Sequence, residues 1–164
     1  MREQKGFSLI ELIVVVAILG IVGIGGALSL SLATRQDAES CATRIESYLG
    51  STKTCALSRA AASLTVFVKN DGVYIIADTS GMEKKIGKYG MSVRYERDDG
   101  TEVTLSETNR LYITFDRSTG GFLTKAIDGG TESSVVCRKL SVTGGGKTVR
   151  IIMVPATGKY YIEE

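Results

Sequence analysis

The chain has 164 residues, of which 20 are Lys or Arg and 18 are Asp or Glu, for a net charge of +2. That balance leaves no electrostatic footprint for nucleic acid, and a hydrophobic share of 43% belongs to a folded chain rather than a disordered one. Histidine is absent, which removes the commonest acid–base catalyst and the commonest metal ligand.

Residues 1–6, MREQKG, form a short polar leader in which Arg2 and Lys5 outweigh Glu3. From Phe7 to Ala33 there is no Lys, Arg or Asp, and Glu11 is the one strongly polar side chain. About 20 apolar residues in a helix span a bilayer core, so this stretch is long enough to cross, with the leader left in the cytoplasm by the positive-inside rule. Three readings compete. A cleaved secretory signal needs a short apolar region and a small-x-small site, which ALSLSLA at 27–33 offers, but the run before it is long and Glu11 sits badly in it. A plain signal anchor explains the length and leaves Glu11 as a cost of up to roughly 2.5–3.5 kcal/mol at a helix centre, less near its end.

The third reading gives the acid a purpose. GFSLIELIVVVAILGI closely resembles the class III signal of type IV pilins and type II secretion pseudopilins, a likeness specific to residues 5–21 and weak beyond them. The resemblance implies cleavage by a prepilin peptidase between Gly6 and Phe7, N-methylation of Phe7, and a filament in which Glu11 pairs with the Phe7 amine of a neighbouring subunit. In an apolar bundle such a pair sets register, because a subunit docked at the wrong height buries an unpaired charge. The implied partners are the peptidase, other pilin or pseudopilin subunits, an inner-membrane assembly platform and membrane lipid. No cofactor is implied. The implied location is the cytoplasmic membrane, single-pass with the head outside it, and then a surface or envelope filament.

No proline interrupts residues 7–62. After Arg35 the pattern turns amphipathic: Cys41, Ile45, Tyr48, Thr52 and Cys55 recur at spacings of one helical stripe, flanked by Ala38, Ala42, Leu49 and Ala56. One helix from Phe7 to Ala62 would be on the order of 84 Å long. Gly20, Gly23, Gly25 and Gly26 crowd its first half, each costing about 1 kcal/mol against alanine. They suit either close packing between membrane helices or a segment soft enough to stretch on assembly. Of the three cysteines, Cys41 and Cys55 lie about 21 Å apart along such a helix and cannot bond to each other. Either could reach Cys137, and Cys55–Cys137 is the candidate disulfide. Otherwise the helical pair are small buried residues.

The remainder, 63–164, reads as a β-rich head of about nine short strands joined mainly by hairpins. Turn signals stand at NDG (70–72), DDG (98–100), STGG (118–121), TGGG (143–146) and ATG (156–158), and one strand is expected over Val135–Val142. The expected organisation is a leader (1–6), a membrane or filament-core helix (7–34), its amphipathic continuation (35–62) and the head (63–164). The fold class is α+β, a long helix packed on antiparallel sheet. LYITFDRSTGG followed by GKTVRIIMVPATGKYYI is also loosely similar to the heads of H-type minor pseudopilins, which implies a minor subunit.

Other motifs are set aside. GGGKT at 144–148 lacks the upstream glycine of a phosphate-binding loop, since Ser141 stands there, and it leads into a strand pattern. No GxSxG is present, and a Ser-His-Asp site is impossible without histidine. Asp98, Asp99, Asp116 and Asp128 fall at turns without the spacing of a calcium loop. Arg138, Lys139, Lys147, Arg150 and Lys159 make the last third locally basic, with Glu163 and Glu164 offsetting them. The expectation is a structural protein, neither an enzyme nor a nucleic-acid binder, with a monomeric anchored binding domain and a DNA-uptake pilin as alternatives.

Overall fold

A computed structural model describes residues 9–58, 62–77 and 81–163, with the backbone alone for 21–35. One helix, α1 (Leu9–Ser58), is followed by eleven strands. In chain order they are β1 (Ser63–Lys69), β2 (Gly72–Ala77), β3 (Glu83–Lys85), β4 (Ser92–Arg97), β5 (Glu102–Thr104), β6 (Asn109–Phe115), β7 (Phe122–Asp128), β8 (Thr131–Val135), β9 (Cys137–Gly144), β10 (Lys147–Val154) and β11 (Lys159–Glu163). The α+β class and antiparallel pairing follow the sequence reading. Ala62 lies outside the helix, contrary to expectation, and its carbonyl accepts a hydrogen bond from Thr114 Oγ1 at 2.7 Å.

The strands make two sheets, ordered β3-β2-β1-β6-β7-β8 and β11-β10-β9-β4-β5. The chain visits them alternately: β1–β3 in the first, β4–β5 in the second, β6–β8 in the first, β9–β11 in the second. Returning strands dock on central partners, β6 beside β1 and β9 beside β4. The expected single strand Val135–Val142 is two. Val135 ends β8 in one sheet and Cys137 opens β9 in the other, with exposed Val136 at the crossing. A strand that bends from sheet to sheet is how such corners are made.

The turns explain the register. The two-residue Gly145–Gly146 loop has positive φ at both positions, 58° and 78°, as a type I′ hairpin requires. It sets Lys147 opposite Gly144. Gly129–Gly130 (φ 55° and 90°) does the same for β7 and β8. The sequence reading placed no strand there, because TESSV lacks apolar alternation: β8 is an exposed edge strand. The other edge of that sheet, β3, reads Glu-Lys-Lys and is exposed throughout. Charge on an edge discourages pairing with other chains, and for the same reason the strand leaves no hydrophobic trace in the sequence.

One core joins the helix to both sheets. Ala38, Cys41, Ala42, Ile45, Leu49, Thr52 and Ala56 are buried on α1. Tyr48 and Cys55, expected on the central stripe, are only half-buried, so the seam is rotated towards the expected flank. The first sheet supplies Leu64, Val66, Ile75, Leu111 and Ile113, and the second Val93, Tyr95, Leu140, Val142 and Ile151. Small residues at 38, 41 and 42 let both sheets close on the helix where it enters the head.

Candidate functional site

Two regions of α1 differ sharply. From Ala38 onwards one face is buried in the head, whereas every residue from Leu9 to Gly20 is exposed. Leu9, Ile10, Leu12, Ile13, Val14, Val15, Val16, Ile18 and Leu19 stand uncovered, on all sides of the helix. An apolar stretch exposed all round is at odds with water and implies lipid or other chains around it. Glu11 lies in the first described turn and is exposed.

Gly6 and Phe7, the expected cleavage and methylation positions, lie outside the described residues. The helix runs without a break through Gly20, Gly23, Gly25 and Gly26. A Cβ on Gly20 would meet nothing within 4 Å among the described residues. Among the described residues no helix is long and apolar enough to cross a membrane. The span expected at 7–34 includes residues 7 and 8 and the side chains of 21–35, which are outside that set.

The helix is strapped to the head by charge as well as by the core. Lys88 Nζ lies 3.0 Å from Asp37 Oδ1, and Lys147 pairs with Glu39. Arg44 donates to the Ile86 carbonyl at 3.4 Å. At the far end Lys53 Nζ donates to the Gly158 carbonyl at 2.8 Å. The GGGKT stretch is therefore a β-hairpin whose lysine reaches the helix. Arg138 and Lys139 are likewise paired, with Asp98 and Glu96.

Two turn carboxylates, Asp116 and Asp99, are spent on their own turns. Asp116 Oδ1 accepts from the hydroxyls and backbone N–H groups of Ser118 and Thr119, which hold its pKa down at about 2. Asp99 Oδ1 accepts from the Thr101 N–H at 2.8 Å, and its pKa is lowered by that bond. Among the described residues no three of His, Cys, Asp or Glu are grouped to hold a metal ion.

The Cys55–Cys137 disulfide is not formed: all three cysteines are free. Cys137 is enclosed in the second sheet's core with Sγ 3.7 Å from Met153 Sδ, while Cys55 is on a half-buried face of the helix. Burial pushes the Cys137 and Cys41 thiols up to about 12.

Residues 1–27 match the family model of the prokaryotic N-terminal methylation motif. No curated protein and no solved structure matches the chain.

Proposed function

We propose, from the methylation motif at residues 1–27, that this protein is a type IV pilin-like or pseudopilin filament subunit whose bare N-terminal helix is its assembly element. A prepilin peptidase cuts between Gly6 and Phe7 and Phe7 is methylated. The helix waits in the cytoplasmic membrane and then packs among the helices of other subunits, with the head facing outwards. The role is mechanical, that of a minor subunit in a pilus or secretion pseudopilus. The observation that carries this reading is the contrast along α1: an apolar stretch exposed on every side, Leu9–Gly20, continuous with a stretch seated in a folded head.

Glu11 provides the test. Glu11→Ala should abolish incorporation into filaments, read by shearing and immunoblot, and leave the unfolding midpoint of the head unchanged. A simple anchored domain would not register the change. Incorporation at the normal level would therefore sink the filament reading.

A further inference from the structure

The segment between β3 and β4 runs down the helix towards its bare end. Ile86 meets Arg44 through its carbonyl. Gly87 comes next, where an added Cβ would lie 3.0 Å from Cys41 Sγ and 2.9 Å from Val73. Lys88 then reaches Asp37 at 3.0 Å. Successive loop residues thus meet helix positions 44, 41 and 37, each about one turn nearer the N-terminus. Tyr89 follows at the tip, and Gly90, at φ 81°, turns the chain back into β4. Tyr89 is 81% exposed, and the Lys88 side chain 75%. A large aromatic ring is held out at the end of the loop, with no hydrogen bond, ion pair or ring contact among the described residues.

We propose that the Gly87–Gly90 loop is a lipid-contacting tip, with the Tyr89 ring resting in the phospholipid headgroup layer and the Lys88–Asp37 pair holding the loop just above it. This rests on the membrane-anchored state of the subunit proposed above. The heights agree. With Glu11 at the inner headgroup level, the hydrocarbon layer takes about 20 helical residues and ends near Ser31. Asp37 stands about 9 Å beyond that edge, and the headgroup layer is about 5–7 Å deep on each side. Residues 86 to 88 descend about one helical turn each, and the same step carried to Tyr89 puts it about 4 Å beyond that edge, within the layer. A ring with an apolar body and a polar hydroxyl suits that layer. The contact fixes how the head sits over the bilayer before the subunit leaves it.

The chain has no tryptophan, so Tyr89→Trp creates a single fluorescent reporter. Leu57→Trp is its control: Leu57 is 47% exposed and lies about 30 Å further along the helix from Asp37. Each full-length variant is reconstituted in phosphatidylethanolamine–phosphatidylglycerol vesicles, with and without a nitroxide on the headgroup. The expected result is flotation of both variants with the vesicles and at least a twofold loss of emission for Tyr89→Trp alone. Flotation with no more quenching at 89 than at 57 overturns the lipid contact and leaves the anchored reading intact. Failure to float overturns both.

Discussion

Asp116 gathers four hydrogen bonds onto one oxygen, and the consequence is measurable. Its carboxyl lies at about 2 in the fold against an ordinary 3.8, the Ser118 hydroxyl being the largest cause. A carboxyl depressed on folding stabilises the native state above its unfolded value, and that contribution is lost as the pH falls from about 4 through about 2. Carboxyl NMR should place the Asp116 midpoint near 2, and Asp116→Ala should lower the thermal midpoint at pH 7 but not below pH 2. Gly158 is constrained more severely. It holds φ 60°, and a Cβ there would lie 1.9 Å from the Gly120 carbonyl oxygen. Gly158→Ala should cost about 3 kcal/mol in urea unfolding. The cysteines separate by burial. A disulfide reagent at pH 8 should modify Cys55 in the native protein and leave Cys41 and Cys137, whose thiols stay neutral, until it unfolds.

At the scale of elements, the helix and most hairpins were readable because their signals are local. NDG, DDG and the paired glycines at 145 and 146 each dictate a turn, and the stretch Cys41–Ala56 carries a helical period. What escaped was decided by distant parts of the chain. The β8–β9 break at Val136 answers to two sheets that share one helix, not to any residue near 136. The edge strands β3 and β8 bury nothing and so show no pattern. The rotation of the helical seam follows from its sitting between two sheets, which draws Ala38, Ala42, Leu49 and Ala56 inside. Leu49 is fully buried there, and Leu49→Ala should cost about 3 kcal/mol of stability, read by denaturant unfolding of the full chain. In the N-terminal half of the helix, replacing Gly20, Gly23, Gly25 and Gly26 with alanine should stabilise the helix by about 1 kcal/mol per site. If softness there serves assembly, filament yield falls while the head is unaffected.

For the whole molecule, the N-terminal methylation motif was legible at residues 5–21 through its resemblance to class III signals, and the family model matches there. The head was legible as antiparallel sheet, with one sheet or two left open, since strand order depends on contacts far apart in sequence. Core, ion pairs and loop contacts converge on α1 between Asp37 and Ala56, so the head and the amphipathic half of the helix should unfold as one unit. The bare half should contribute little to that transition and almost everything to assembly.

The most direct measurement is the intact mass of the protein isolated from its native host. The account requires a chain that starts at Phe7 and is heavier by one methyl group. A chain that retains MREQKG in cells with an active prepilin peptidase, or one that starts near residue 34, would contradict it.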